Sequence, residues 1–257
     1  ADGGGLNLFC GRYGRRKTAC HHCLSRKHTH GKNEFAMKDL AATFLSEEDR
    51  RRILEAVKAA EKKTAGEIVP MVVSASYHYP MAAVIGGTAF ALPAAVVLTY
   101  LLGSWFWIGS QNMWLFLGLF AVLFAIFHTV VKHAATLKRW FVSQREMDEE
   151  VEEAAIKSFF GEGLHRTRDE TGVLLFISVF ERKVFVLADR GIDARVEKSR
   201  WETIVRGIVD GIRRKQPAEA ICEAVRQVGD LLQAHFPIKA GDTNELSNLI
   251  VKDGSPE

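Results

Sequence analysis

Two long apolar runs interrupt an otherwise mixed pattern of apolar and polar positions. The runs extend from Met81 to Leu102 and from Met113 to Val131, neither contains Asp, Glu, Lys or Arg, and a short uncharged segment, Gly103 to Asn112, separates them. A helix of about 20 apolar residues crosses the hydrocarbon core of a bilayer. The pattern therefore predicts a transmembrane hairpin of two antiparallel helices. A buried hairpin in a soluble core is the alternative, but such helices usually keep a polar stripe, which the second run lacks.

The residues that flank the two runs favour the membrane interpretation. Aromatic residues stand at the ends of the spans and basic residues follow the second span (Tyr77, Tyr79, Trp105 and Trp107; Lys132, Lys138, Arg139 and Arg145). Interfacial aromatics and an excess of Lys and Arg on the cytoplasmic side are typical of membrane proteins. We therefore expect an integral protein of the inner or plasma membrane, with the bilayer as a partner, both soluble flanks in the cytoplasm and the short loop outside.

The rest of the chain follows an α/β pattern. Helical periodicity and capping residues predict four helices, and apolar runs rich in β-formers predict three strands. The helices are expected from Ser46 to Thr64, from Glu146 to Phe160, from Trp201 to Arg214 and from Pro217 to His235; the strands are expected from Ile68 to Ala75, from Val173 to Val179 and from Lys183 to Asp189. The last two strands form an antiparallel hairpin, and Pro70 places the first strand at an edge or a bulge.

The N-terminal region differs from the rest in composition. Between Ala1 and Ala36, seven Lys or Arg residues stand against two acidic residues, and no apolar periodicity is present. We expect this region to be disordered or not native coding sequence, with Met37 as the start. The alternative is a small zinc site formed by Cys20, Cys23 and His28, with Cys10 as a fourth ligand. Cys222, on an apolar helix face, is expected to be a core residue.

Four short motifs occur in order outside the apolar runs. They are Thr64-Ala65-Gly66-Glu67-Ile68, Thr171-Gly172-Val173-Leu174-Leu175, Glu181-Arg182-Lys183-Val184 and Asp189-Arg190-Gly191-Ile192. With the terminal pair of helices, they resemble the TPM domain family from Phe44 to Pro237, with the membrane hairpin as an insertion after the first strand. The resemblance implies a small mixed sheet sandwiched by helices, divalent-metal binding in some members and acid phosphatase activity in others. Thr171 stands where the family usually has Asn.

These observations divide the chain into five segments. They are a basic Cys/His tail (1–43), the first part of a TPM-like domain (44–76), a transmembrane hairpin (77–132), the second part of the domain (133–237) and a flexible C-terminal tail (238–257).

Acidic residues are expected to converge at one edge of the sheet. If the first two strands run parallel and the third returns antiparallel, Glu67, Asp169, Glu170 and Asp189 meet at that edge, with Asp193 one turn away. Oxygen ligands suit Ca²⁺ or Mg²⁺. The predicted ligand set is Glu67, Glu170, Asp189 and Asp193. The alternative is a group of solvated acids that cap loops or pair with arginines.

Catalytic signatures are scarce. The sequence contains no G-x-S-x-G, H-E-x-x-H or Walker motif. His165 beside Arg166 and Arg168 could bind an anion, or could be a solvated connector. The near-even charge balance gives no indication of nucleic-acid binding. The function expected is therefore an interaction or assembly module at the membrane, with another membrane protein as its partner. A metal-dependent phosphatase is the alternative, so whether the chain is an enzyme stays open.

Overall fold

The computed structural model describes residues 9–10, 40–105, 112–167, 170–193, 195–238 and 248–252, and for residues 9, 10 and 193 it describes the backbone alone. The predicted zinc ligands Cys20, Cys23 and His28, and the acidic Asp169, lie outside the described residues. The chain divides into two compact units, an α/β unit (1–77 and 148–257) and a hairpin unit (78–147).

The α/β unit is built on one mixed sheet. Its strands are β1 (Phe9–Cys10), β2 (Glu67–Val73), β3 (Gly172–Ser178), β4 (Lys183–Ala188) and β5 (Ile250–Lys252). Their order across the sheet is β1-β4-β3-β2-β5. The expected topology is confirmed, because β2 runs parallel to β3 and β3 runs antiparallel to β4. β2 and β3 are buried along their whole length and β4 along all but its last residue, which is typical of strands covered on both faces.

Helices cover both faces of this sheet. The helices along the chain are α1 (Leu40–Phe44), α2 (Glu47–Glu61), α3 (Pro80–Trp105), α4 (Met113–His133), α5 (Ala135–Trp140), α6 (Gln144–Gly161), α7 (Arg190–Asp193), α8 (Lys198–Arg213) and α9 (Pro217–His235), with a 3₁₀ turn over Leu164–Arg166. One face of the sheet packs against α2, α8 and α9, and the other packs against α6. The α/β layering is as expected from the sequence.

The two outer strands are short segments that sequence periodicity does not predict. β1 pairs with Phe185 and Val186 of β4, and β5 pairs with Met71 to Val73 of β2. Pro70, which has no N–H to donate, immediately precedes the part of β2 that pairs with β5. Thus the half of β2 that contains Pro70 pairs on one side alone within the described residues.

The hairpin unit contains the two predicted spans. α3 and α4 have 26 and 21 residues and are long and apolar enough to cross a membrane by length and composition. The unit extends further along the chain than the predicted hairpin, which ended at residue 132, because α5 and the residues after it pack on the hairpin. A Cβ atom on Gly86 would lie 2.8 Å from the ring of Phe141 and 3.0 Å from Val131.

Candidate functional site: a cavity at the edge of the sheet

Strand register brings the predicted acidic residues to one edge of the sheet. Glu67 pairs with Gly172 at the start of the two parallel strands. The backbone N–H of Asp189 donates to the Gly172 carbonyl at 2.9 Å, so β4 ends at this same edge. Glu170 lies two residues before Gly172. Asp193 ends α7, and its side chain lies outside the described residues.

The side chains at this edge occupy two separate environments. Glu67 is 9 % exposed and shares a hydrogen bond with the carboxyl group of Glu61, the last residue of α2. The other donors to Glu61 are the Ile68 N–H, at 3.2 Å, and the Asn248 side-chain amide. Burial raises the pKa of Glu61 to about 7, and the adjacent charge of Glu67 acts in the same direction. Glu61 and Glu67 therefore form a carboxyl pair that holds a proton at mildly acidic pH.

Glu170 and Asp189 instead line a cavity of about 270 Å³ in the α/β unit. Residues from α6, the 3₁₀ turn, the segment before β3, the end of β4 and the start of α7 form its wall. The lining residues are Ile156, Phe159, Phe160, His165, Glu170, Leu187, Ala188, Asp189 and Arg190. The cavity therefore combines a mainly aromatic and aliphatic wall with four polar side chains.

Local backbone features position the polar side chains of the cavity. After α6, Gly163 adopts φ +79°, a left-handed conformation that favours glycine, and the chain enters the 3₁₀ turn. This turn packs tightly on β3, since a Cβ atom on Gly172 would lie 2.7 Å from the Leu164 carbonyl oxygen. Glycine is thus required at the start of β3, and the turn holds His165 with its ring centre 5.0 Å from that of Phe160.

Thr167 fixes the segment that leads to Glu170. Its hydroxyl donates to the Leu164 carbonyl at 3.3 Å and accepts from the Thr171 N–H at 3.1 Å. Glu170 has φ +54°, which is uncommon for a residue with a side chain. Strained backbone of this kind is concentrated at functional sites. The segment therefore presents Glu170 at the cavity in a conformation that the surrounding hydrogen bonds maintain.

Two buried polar atoms among the lining residues have no hydrogen-bond partner in the described part of the protein. They are Asp189 Oδ2 and His165 Nδ1. The other oxygen of Asp189 accepts from the Arg190 N–H at 2.7 Å. Buried polar groups are nearly always satisfied in folded proteins, and an unsatisfied group costs about 1–3 kcal/mol. A ligand that supplies the missing hydrogen bonds would recover this cost.

The predicted divalent-ion site is only partly assembled by the described residues. Glu170 and Asp189 reach the cavity, whereas Glu67 is engaged in the pair with Glu61. Within the part of the chain that the structure describes, no three His, Cys, Asp or Glu residues form a group that could hold a metal ion. The Ca²⁺ or Mg²⁺ site stays a prediction, and its completion depends on groups such as Asp193 whose side chains are outside that part.

Some features of the site were not predicted from the sequence. The pairing of Glu61 with Glu67 was missed, although the short turn between them, Thr64-Ala65-Gly66, could have suggested that the helix end and the strand start meet. The aromatic wall from Phe159 and Phe160 was also missed. Cys222 was expected to be a core residue, and it packs against the core, where burial raises the pKa of its thiol.

Comparison with known proteins gives a family match that includes the cavity. The family model for the TPM domain matches residues 134–231, which is less than half of the chain but includes every residue that lines the cavity. The NMR structure of the BA42 protein from the psychrophilic bacterium Bizionia argentinensis has a similar fold. It is 19 % identical, with a TM-score of 0.50, and the match covers 81 % of this chain and 95 % of that protein. No curated protein matches the chain.

Proposed function

We propose that this protein is a membrane-tethered TPM-domain protein whose α/β unit serves as an interaction or assembly module for another membrane protein. The observation that carries the tether is the composition of the hairpin surface. Large apolar side chains such as Val97, Leu101 and Val122 are 55–60 % exposed, and they lie within helices that have the length of a membrane span. An exposed apolar surface of this extent needs an apolar environment, and lipid provides it along the full length of both helices.

The basic residues after α4 support an orientation with both flanks in the cytoplasm. Lys132 and Arg145 are exposed, and the hairpin unit contains one acidic residue, Glu146. Positive charge next to a span favours the cytoplasmic side. The soluble domain would then face the cytoplasm at the inner or plasma membrane.

Membrane fractionation of the full chain tests the tether. We expect the protein to remain in the membrane pellet after alkaline carbonate extraction. Val122→Lys should shift it towards the supernatant or reduce its accumulation, because a lysine at the centre of a span costs about 2.5–3.5 kcal/mol on insertion scales. Thr203→Lys, at an exposed position of α8, is the matched control and should stay in the pellet. Complete release of the unmodified protein by carbonate would contradict the proposal.

Cysteine labelling in intact cells tests the orientation. A cysteine in place of Ser110, between the two spans, should react with a membrane-impermeant maleimide, and a cysteine in place of Glu219, exposed on α9, should react only after the cells are opened. The reverse pattern would show that the α/β unit lies outside the cytoplasm.

The module role has its own test. The cavity lining contains no residue set typical of a nucleophilic triad, and the phosphatase alternative rests on the family resemblance alone. We expect a membrane protein to co-purify with the detergent-solubilised full chain in a fixed stoichiometry, measured by quantitative mass spectrometry. The absence of a stoichiometric partner, together with metal-stimulated phosphatase activity of the purified protein, would favour the enzyme instead.

A further inference from the structure

We propose that the cavity binds a small organic molecule in which a primary ammonium group is joined to an apolar body. This inference goes beyond the membrane tether and the module role, and it rests on the chemistry of the cavity wall. The first step concerns charge. Among the described residues that line the cavity, Glu170 and Asp189 supply two carboxylates, Arg190 supplies one guanidinium and His165 supplies an imidazole. Carboxylates therefore outnumber guanidinium groups in the described lining, which favours a cation over a phosphate or a carboxylate.

The second step concerns hydrogen bonding. The unsatisfied Asp189 Oδ2 belongs to a group that, when ionised, can only accept hydrogen bonds. The unsatisfied His165 Nδ1 accepts in one neutral tautomer of the ring. A ligand that satisfies both atoms must supply at least two N–H or O–H donors. A primary ammonium group carries three donors and a positive charge, so it matches both the unsatisfied atoms and the charge of the cavity.

The third step separates an organic cation from a metal ion. Ca²⁺ and Mg²⁺ are surrounded by oxygen atoms of carboxylates, carbonyls and water, whereas five of the nine described lining residues are apolar: Ile156, Phe159, Phe160, Leu187 and Ala188. These side chains can bury hydrocarbon, and aromatic faces attract organic ammonium groups. The volume of about 270 Å³ is at the lower limit of small-molecule pockets. The ligand is therefore expected to be about the size of a single amino acid.

Titration calorimetry on the detergent-solubilised full chain tests this proposal with defined probes. 3-Methylbutylamine combines a primary ammonium with an apolar body. 3-Methylbutanol keeps the body without the charge, and methylamine keeps the charge with almost no body. Calcium chloride and magnesium chloride are titrated separately. We expect 3-methylbutylamine to bind at least tenfold more tightly than either organic control, since each control removes one of the two complementary features.

Two variants connect the binding to the cavity. Asp189→Asn should weaken 3-methylbutylamine binding at least tenfold, because a charge-assisted hydrogen bond is lost. Asp210→Asn, an exposed carboxylate of α8, is the matched control and should bind as the unmodified protein does. Phe160→Ala should reduce the ratio of the affinity for 3-methylbutylamine to the affinity for methylamine. A general effect on folding would weaken the binding of both amines and leave this ratio unchanged. Far-UV circular dichroism checks that each variant is folded.

Three results would overturn the proposal. The first is that 3-methylbutylamine does not bind. The second is that it binds the Asp189→Asn protein as tightly as the unmodified protein. The third is that Ca²⁺ or Mg²⁺ binds and requires Asp189, whereas the amine does not bind. The last result would assign the cavity to a divalent ion. None of these results depends on membrane fractionation, so failure of the amine site is distinguishable from failure of the membrane tether.

Discussion

The two units of this protein use apolar side chains in opposite ways. In the α/β unit the large apolar residues are inside, and Phe176, Phe185 and Trp201 are at most 2 % exposed. In the hairpin unit large apolar residues are outside, and Trp114 and Met113 are 78 % and 65 % exposed. The contrast shows that water drives the packing of the first unit, whereas the second has a surface suited to an apolar environment.

The interior of the hairpin unit is formed by small residues. The buried residues of α3 are small, and six of the eight recur at intervals of four along one face: Ala83, Gly87, Ala91, Ala95, Thr99 and Gly103. Such a stripe allows the backbones of two helices to approach closely, and this is how helices associate where burial of apolar surface gives no driving force. A Cβ atom on Gly87 would lie 3.1 Å from the backbone of His128. Backbone proximity therefore holds the hairpin together.

The largest effect should come from truncating a buried aromatic of the α/β unit. Phe176→Ala is expected to lower the free energy of unfolding by about 3–5 kcal/mol through lost burial and a new cavity. Trp114→Ala, on the exposed surface of α4, should change it by less than about 0.5 kcal/mol. Urea unfolding in detergent can be followed by tryptophan fluorescence, to which Trp201, buried in the α/β unit, contributes. Similar decreases in the free energy of unfolding for Phe176→Ala and Trp114→Ala would contradict the expected difference between buried and exposed apolar residues.

A second variant pair examines the small-residue interior. Gly87→Ile should destabilise the hairpin by about 1–3 kcal/mol, because the added side chain meets the backbone of α4 and neither backbone can move aside. Gly118→Ile makes the same change on α4, where nothing lies within 4 Å of the added Cβ atom, and it should be tolerated. Far-UV circular dichroism during titration with sodium dodecyl sulfate measures helix loss in both. Equal sensitivity would mean that the α3 stripe does not determine the packing.

The difference between the units also explains what the sequence could predict. Periodicity predicted both long apolar helices and the main helices of the α/β unit, because hydrophobic patterns extend over many residues in each. β1 and β5 contain two and three residues, too few to show a period, and tertiary pairing alone defines them. The short helices α5 and α7 were missed for the same reason. Local pattern is thus sufficient where an element is long, and insufficient where its neighbours determine it.

The site shows a similar limit. Strand order and direction predicted that Glu67, Glu170 and Asp189 reach one edge, since direction alone decides which strand ends meet. Side-chain direction and the packing of the 3₁₀ turn decide which of them share a cavity, and neither can be derived from spacing. Glu67 joins Glu61, whereas Glu170 and Asp189 face a wall that includes Phe160. The carboxylates were therefore predicted at the correct edge but not in their observed partnerships.

The buried polar groups of the two units provide a further comparison, through the dependence of stability on pH. In the hairpin unit, the buried Thr99 donates to the Ala95 carbonyl at 2.7 Å, and the buried Lys138 donates to the His78 carbonyl. The α/β unit contains the Glu61–Glu67 carboxyl pair. Because the pKa of Glu61 is about 7 in the folded protein and about 4.3 in an unfolded chain, the folded state binds more protons between these values. Stability should therefore fall as pH rises through this window and then level off.

Glu61→Gln should abolish that part of the pH dependence. Glutamine can still accept from the Ile68 N–H and the Asn248 amide and donate to Glu67, but it does not titrate. We expect the melting temperature of the variant to exceed that of the unmodified protein at pH 8, with the difference shrinking towards pH 5. Glu55→Gln, at an exposed position on the same helix, should leave the profile unchanged. A profile that still falls between pH 5 and 7 in Glu61→Gln would assign the proton to another group.

The smallest effect is expected from deleting residues 1–36. In the described residues, this segment contributes the two-residue strand β1, which pairs with Phe185 and Val186. β4 keeps its full pairing with β3 on its other side, and the net value of a backbone hydrogen bond is about 0.5–1.5 kcal/mol. The deletion should therefore lower the melting temperature of the α/β unit slightly and leave membrane insertion unchanged, because both spans are intact. Thermal unfolding and carbonate extraction measure the two outcomes. Two results together would contradict this prediction: the deleted protein fails to accumulate, and atomic absorption finds one zinc ion per chain in the full-length protein. They would show that residues 1–36 fold around a metal ion and contribute to the stability of the chain.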